Sequence, residues 1–197
     1  MEESERTWVQ RARTGDQAAF SRLVEAYQTP VYNLAYRLLG NAMEAEDAAQ
    51  ETFIRAYTRF STYDPKRKFS SWLLAIASHY CVDVLRRRRM TILSMEDLPP
   101  MVELAMPATT QPEQIVVSEQ DASAVQQLLS TLPPSYRTPV VLRYWYDMSY
   151  KEIAETMRVT ESAIKTRLHR ARAKLARAVR NASQNVTEGE VNERAIV

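Results

Sequence analysis

The residues with the clearest binding chemistry lie between Ser149 and Leu175, where two short helical patterns are joined by a tight turn. The second pattern is strongly basic on one side, and no acidic residue lies between Glu161 and Glu188. A basic helix on its own is equally typical of a solvated surface or a partner-binding helix. The capped short helix and the turn before it favour a helix-turn-helix, whose second helix enters the DNA major groove.

The ends of these two helices are signalled locally. Ser149 and Glu152 have the spacing of a capping box, in which each side chain accepts a hydrogen bond from the other residue's amide. Thr160 is a second N-cap candidate. Many helix-turn-helix turns place glycine where this chain has Arg158, so we expect positive φ there at a cost of about 1 kcal/mol. The apolar positions at helical spacing, which we expect to face the core, are Ile153, Ala154, Met157, Ile164, Leu168, Ala171 and Leu175.

Composition favours an all-α fold, because 3 glycines in 197 residues are too few for the hairpins of a sheet. The single cysteine, Cys81, excludes a disulfide framework and suits a reducing cytosol. No run reaches the roughly 18 apolar residues that a membrane helix needs, and the N-terminus does not read as a signal peptide. We therefore expect a cytoplasmic protein that does not insert into a membrane.

The helical patterns predict two small domains. We expect helices over 16–39 with an interruption at Pro30, 44–60, 70–88, 119–130, 133–146 and the helix-turn-helix. The predicted inward face of helix 44–60 consists of Ala49, Phe53, Tyr57 and Phe60. The expected boundaries are 1–89 for the first domain, 90–117 for an extended acidic linker containing prolines, 118–181 for the second domain and 182–197 for a disordered tail.

Charge is segregated along the chain although the net charge is only +2. The stretch from Met90 to Tyr136 contains 6 acidic residues and no Lys or Arg, whereas cations concentrate in Arg86–Arg89 and after Lys165. Aromatic and basic residues alternate between Ser61 and Arg89, a composition that suits single-stranded nucleic acid, whose bases stack on aromatic rings. Burial of the same rings in the core is the alternative.

Three blocks follow one another in the order EAEDAAQETFIRAY, FSSWLLAIASHYCVDVLRRRR and LPPSYRTPVVLRYWYDMSYKEIAETMRVTESAIKTRLHRARAKL. With these blocks, residues 16 to 178 resemble a bacterial sigma factor of the extracytoplasmic-function (ECF) group. The resemblance implies a sigma region 2-like domain that docks on core polymerase and melts the minus-ten element. It also implies a region 4-like domain that reads the minus-thirty-five element, and a linker that threads the RNA exit channel.

The resemblance also implies which residues act. Those at polymerase-docking positions are Asp47, Gln50, Glu51, Phe53, Ile54 and Arg55. Those expected at the minus-ten strand, where the loop Ser61 to Phe69 captures a flipped base, are Tyr63, Lys66, Phe69, Trp72, His79, Asp83, Arg86 and Arg87. In the recognition helix we expect Glu161, Ser162, Lys165, Thr166 and His169 near base edges, and Arg167, Arg170 and Arg172 on phosphate or base.

The implied function is that of an alternative sigma factor for a stress or envelope regulon. Its partners would be the clamp and flap of bacterial core RNA polymerase, double- and single-stranded promoter DNA, and an anti-sigma factor, which would retain it at the membrane where that inhibitor is membrane-bound. The active factor would be associated with the nucleoid. We expect no obligate homo-oligomer.

Two other classes of protein fit less well. A stand-alone helix-turn-helix regulator would bind duplex DNA, usually as a dimer on a palindrome, and the sequence has no heptad run for dimerisation. For an enzyme we find neither a nucleophile triad nor a glycine-rich phosphate loop, and His79 and His169 are far apart in sequence. We therefore expect no enzymatic activity, no cofactor and no metal site.

Overall fold

The computed structural model describes residues 2–96 and 118–193, with side chains described for 5–90 and 123–181. All regular structure in these ranges is helical, which confirms the predicted all-α class. The chain divides into two compact units. The first contains α1 (Glu2–Arg13), α2 (Gln17–Leu39), α3 (Ala42–Thr58), a short 3-10 helix (Phe60–Thr62) and α4 (Phe69–Glu96). The second contains α5 (Ser118–Ser130), α6 (Pro134–Trp145), α8 (Glu161–Glu193) and most of α7 (Tyr150–Met157).

Capping residues mark the start of α2, its end and the start of α3. Asp16 caps α2 by accepting a hydrogen bond of 3.0 Å from the amide of Ala19, and this bond lowers the pKa of its carboxyl group. Gly40 ends α2 at a φ of 74°, a backbone conformation that glycine adopts without strain. Asn41 then caps α3 through the amide of Glu44 at 3.0 Å. These caps fix the short connection between α2 and α3.

Two features of the first unit were not predicted correctly. Helix α1 was not predicted at all, although Val9 and Ala12 form a short buried face against α2. The predicted interruption at Pro30 is wrong, because α2 continues through it. Proline removes one backbone donor, and the buried side chains of Leu23 and Val31 on either side hold the helix on its neighbours.

The predicted inward face of helix 44–60 is correct at Phe60, which is buried, but is wrong by one helical position within α3. Its buried residues are Ala45, Ala48, Thr52 and Ala56, whereas Tyr57 is 48% exposed. Small side chains lie at the centre because α2, α3 and α4 pack closely, and the hydroxyl of Thr52 donates to the carbonyl of Ala48 at 2.6 Å. The larger apolar residues are displaced to the margins of the contact.

The second unit packs α6 against α8. Its core includes Leu142, Ile153, Ile164 and Leu168, all at most 1% exposed. Buried Arg137 donates to the carbonyls of Ser130 and Leu132 at 3.0 and 3.1 Å, which satisfies acceptors at the end of α5.

Two helices extend beyond their predicted ends. Helix α4 continues past residue 88 to Glu96, and α8 continues past residue 181 to Glu193, through much of the tail that we expected to be disordered. Extension of an existing helix avoids the unfavourable nucleation step, and it needs no amphipathic pattern. The remainder of the predicted linker, residues 97–117, and residues 194–197 lie outside the described residues.

Candidate nucleic-acid interface

The start of α7 and the turn between α7 and α8 have the geometry that the sequence predicts. The amide of Ser149 donates to Glu152 Oε2 at 2.8 Å, and the amide of Glu152 donates to Ser149 Oγ at 3.2 Å, which completes the capping box. Arg158 has a φ of 53°, as expected for the position where glycine is common. Thr160 Oγ1 accepts from the amide of Ala163 at 3.2 Å and so begins α8.

Helix α8 has one buried and one exposed face. Ile164, Leu168 and Ala171 are buried in the second unit. The predicted DNA-contacting residues lie on the remaining surface, with Arg167 half-buried and all the others exposed: Glu161, Ser162, Lys165, Thr166, His169, Arg170 and Arg172. These side chains therefore share the exposed side of α8, where cations outnumber the single carboxylate of Glu161.

A second exposed surface lies along one side of α3. Asp47, Gln50 and Ile54 recur at steps of three and four residues, so they share one side of the helix, and Ile54 is 59% exposed. Glu51 is paired with Arg55, whose Nε donates to Glu51 Oε1 at 2.7 Å. The guanidinium of Arg55 lies over the ring of Tyr80 at 4.8 Å, which joins this stripe to α4. Phe53 is half-buried beside it.

The aromatic residues around the loop after the 3-10 helix form a packed cluster. Tyr63 is 6% and Phe69 is 2% exposed. The two rings contact each other at 5.8 Å, and both contact Phe60 and Trp72 at 5.3 to 6.1 Å. Tyr63 and Phe69 therefore fit the alternative of burial in the core, because these rings pack under the loop and leave little surface for a base.

Other predicted minus-ten residues share one side of α4. Trp72, His79, Asp83 and Arg86 follow at steps of seven, four and three residues, which return to the same face of a helix. Asp83 is paired with exposed Arg86 at 3.3 Å. Exposed Arg87 lies with its guanidinium 6.0 Å from the ring centre of Tyr80.

The Arg86–Arg89 run does not act as one uniform patch. Arg88 forms an ion pair with Glu44 on α3 and donates to the carbonyl of Leu39 at 3.4 Å. Partial burial lowers the pKa of the Arg88 guanidinium. Arg88 therefore holds α4 against α3, and the exposed arginines of the run, Arg86, Arg87 and Arg89, are the ones that can meet phosphate.

Comparison with known proteins decides the family. Residues 23–91 match Sigma-70 region 2, and residues 122–175 match Sigma-70, region 4. The chain is 37% identical over 179 residues to the ECF RNA polymerase sigma factor SigW of Bacillus subtilis, a match that covers 88% of this chain and 95% of that protein. The chain belongs to the ECF sigma factors of RNA polymerase.

Two further comparisons agree with this assignment. The sigma factor is 39% identical over 165 residues to the ECF RNA polymerase sigma factor SigE of Mycolicibacterium smegmatis, covering 82% of this chain and 63% of that protein. Its fold is similar to that of the sigma factor RpoE of Bartonella quintana, solved in complex with the anti-sigma factor NepR. That match has a TM-score of 0.63 at 19% identity and covers 82% of this chain and 96% of the other. The protein is thus an alternative sigma factor, a transcription initiation factor.

Three properties of the described residues bear on other functions. Among them, no helix is long and apolar enough to cross a membrane. Nor does this part of the sigma factor bring together three or more His, Cys, Asp or Glu side chains that could hold a metal ion. Buried Cys81 is 0% exposed, and burial raises the pKa of its thiol to about 12, so it has the environment of an inert core residue.

Sequence reasoning missed one concave feature of the first unit. A cavity of about 670 Å³ lies between α1 and the loop Asp64–Lys68, and it is lined by Glu5, Arg6, Val9 and Gln10 of α1 together with residues 63 and 65–70. The apolar residues Val9 and Ala12, three positions apart, are the sequence signal for the buried face of α1.

Proposed function

We propose that this sigma factor binds core RNA polymerase through the exposed stripe of α3 and directs the enzyme to promoters by contacting both promoter elements. Support for the docking surface comes from Ile54, a large apolar side chain exposed beside the polar residues Asp47 and Gln50. Apolar residues rimmed by polar ones are typical of protein interaction surfaces. In this proposal the chain contributes binding and positioning, and the polymerase supplies all bond-making chemistry.

Helix α8 is the proposed reader of the minus-thirty-five element. The exposed cationic surface of α8 is the observation that carries this role, because the buried Ile164 and Leu168 turn the polar side chains outward. Lys165 is suited to donate to guanine, and Glu161 to accept from the amino group of cytosine. The arginines Arg167, Arg170 and Arg172 would neutralise flanking phosphates.

The proposed minus-ten surface combines the loop above the aromatic cluster with one face of α4. Trp72, His79 and Asp83 would meet the separated strand, and Arg86 and Arg87 would meet the adjacent duplex phosphates. Lys66 lies in the loop, where the proposal places the flipped base. Tyr63 and Phe69 would support the loop from beneath, because both rings are buried.

Control by an anti-sigma factor is the last part of the proposal. The similar RpoE structure is a complex with an anti-sigma factor, NepR. An inhibitor that covers the α3 stripe would prevent polymerase docking. We propose that the free factor works in the cytoplasm and that a membrane-bound inhibitor would hold the inactive factor at the membrane.

Run-off transcription on a pool of promoter fragments tests the proposal. We expect defined start sites only when this chain is added to core polymerase, and we expect them to weaken with Ile54→Ala or Gln50→Ala. Gln17→Ala, an exposed change on α2, is the matched control and should leave transcription unchanged. Absence of any start site, with tight duplex binding by the chain alone, would indicate a stand-alone regulator instead.

A further inference from the structure

One aromatic ring of the first unit contacts arginines that belong to two different surfaces. Tyr80 is half-buried on α4, and the guanidinium carbon of Arg55 on α3 lies 4.8 Å from the centre of its ring. The guanidinium of Arg87 lies 6.0 Å from the same ring centre. Attraction between a cation and a ring face acts within about 6 Å, so Arg55 is well inside this range and Arg87 is at its limit. The ring of Tyr80 therefore acts mainly on Arg55.

We propose that Tyr80 is a positioning residue for polymerase docking, whose ring holds the guanidinium of Arg55 ready to pair with a carboxylate of core polymerase. This inference rests on the proposed docking of core polymerase at the exposed stripe of α3. Tyr80 is not among the residues that the sequence predicts to act at that surface. It adds a residue of α4 to a docking surface whose other members lie on α3.

The side chain of Arg55 is restrained before any partner arrives. It is 33% exposed, and a long exposed side chain loses rotamer entropy when a partner immobilises it. Two contacts limit its freedom in the sigma factor alone. The Nε of Arg55 donates to Glu51 Oε1 at 2.7 Å, and the guanidinium lies over the ring of Tyr80. Arg55 therefore has less entropy left to lose on docking than an unrestrained arginine.

The same two contacts indicate which chemistry Arg55 can recognise. A ring covers the face of a guanidinium, whereas the N–H donors point outward in its plane. Glu51 accepts from Nε, and the two terminal nitrogens carry the other donors of the fork. A carboxylate pairs with such donors in a planar, bidentate geometry. An acidic side chain of core polymerase is therefore the partner that suits Arg55.

The alternative is that Tyr80 and Arg55 only hold α3 against α4. These two helices already pack together, and each contributes fully buried residues such as Ala56 on α3 and Ala77 on α4. Their packing does not depend on an arginine that is one-third exposed. A supporting role predicts that the ring matters whether or not Arg55 is present, whereas a positioning role predicts that it matters only through Arg55.

The test measures the affinity of the fluorescently labelled sigma factor for bacterial core RNA polymerase by anisotropy. Tyr80→Leu removes the ring but keeps an apolar side chain, and Tyr80→Phe keeps the ring. Arg55→Ala and the double variant of Tyr80→Leu with Arg55→Ala complete a double-mutant cycle. Ile54→Ala tests the docking surface itself, and Gln17→Ala, an exposed change on α2, is the control. Circular dichroism checks that each variant is folded.

We expect Tyr80→Leu to weaken the binding of core polymerase by about fivefold, as the loss of a cation–π contact requires. Tyr80→Phe should keep the wild-type affinity, because a phenyl ring also attracts a cation. In the Arg55→Ala background, Tyr80→Leu should have no further effect, because the ring acts only through Arg55.

Three results at Tyr80 would overturn the inference. If Tyr80→Leu weakens binding equally with and without Arg55, the ring supports the fold and does not position that arginine. If Tyr80→Phe loses as much affinity as Tyr80→Leu, the phenol hydroxyl is responsible and the ring face is not. If Tyr80→Leu has no effect while Arg55→Ala weakens binding, Glu51 alone positions Arg55.

The variants on α3 separate this inference from the proposed function. If Arg55→Ala has no effect while Ile54→Ala weakens binding, the proposed docking surface stands, and Arg55 and Tyr80 lie outside it. If neither change affects the affinity for core polymerase, the proposed docking surface and this inference fail together.

Discussion

Replacement of Arg170 and Arg172 by alanine should weaken the dependence of promoter binding on salt concentration, with little effect on the fold. Both side chains are exposed on α8, and Arg167 is half-buried beside them. If each of these three arginines neutralises one phosphate, log affinity falls by about 2.7 per unit of log salt, at about 0.9 per contact. Removal of two contacts leaves a slope of about 0.9.

These slopes give a clear difference at accessible salt concentrations. Between about 50 and about 200 mM salt, the contribution of α8 to wild-type affinity should fall roughly 40-fold, and that of the double variant only about 3.5-fold. Fluorescence anisotropy of a labelled minus-thirty-five duplex, titrated with holoenzyme at several salt concentrations, measures both slopes. Arg180→Ala is the matched control, because it is an exposed arginine on the same helix about 22 Å from Lys165 along its axis.

The result that would refute this reasoning is equally definite. If the double variant keeps the wild-type slope, these arginines do not contact phosphate, and another surface supplies the attraction to DNA. If Arg180→Ala flattens the slope by half as much as the double variant does, the helix acts only through its total charge. In either case, α8 would not be docked with its N-terminal half in the groove as proposed.

Three further predictions concern the fold. Ser149→Ala should destabilise the second unit by about 1 kcal/mol by removing the capping box, measured by chemical denaturation against Ser162→Ala, an exposed change inside α8. Phe69→Ala should lower the free energy of unfolding of the first unit by about 3–5 kcal/mol, because it opens a cavity in the aromatic cluster. Tyr57→Ala, at a 48% exposed ring, should lower it clearly less. Equal losses of stability in the two variants would contradict the packing. Burial raises the pKa of Cys81 to about 12, so its thiol should react with a disulfide reagent at pH 8 only after denaturation. For the same reason, the free energy of unfolding should fall as pH rises from about 9 towards 12. Rapid labelling of the folded chain would contradict the burial of Cys81.

The helix-turn-helix could be predicted from sequence because its signals are local. Ser149 and Glu152 are three residues apart, Thr160 lies next to the helix that it caps, and the apolar residues of α8 repeat at helical spacing. Even the positive φ of Arg158 followed from its place in the turn. None of these inferences requires knowledge of contacts between distant parts of the chain.

The roles of the aromatic and basic residues in the first unit could not be separated in the same way. A ring that stacks on DNA and a ring that packs in a core have the same composition, and only the burial of Tyr63 and Phe69 distinguishes them. Arg88 differs from Arg87 because it meets Glu44, which is 44 residues away in sequence. Sequence neighbours give no information about such a partner.

The burial of Tyr63 and Phe69 also bears on how this sigma factor can open DNA without a chemical energy source. Extraction of a base from the duplex costs a few kcal/mol, and stacking and phosphate contacts in a pocket offset that cost only if the pocket itself need not be ordered. Here the buried rings hold both ends of the loop, and the amide of Lys66 donates to Asp64 Oδ1 at 2.9 Å within it. In the proposed function, the aromatic cluster would contribute to melting as the rigid support of the loop, without Tyr63 and Phe69 stacking on the flipped base.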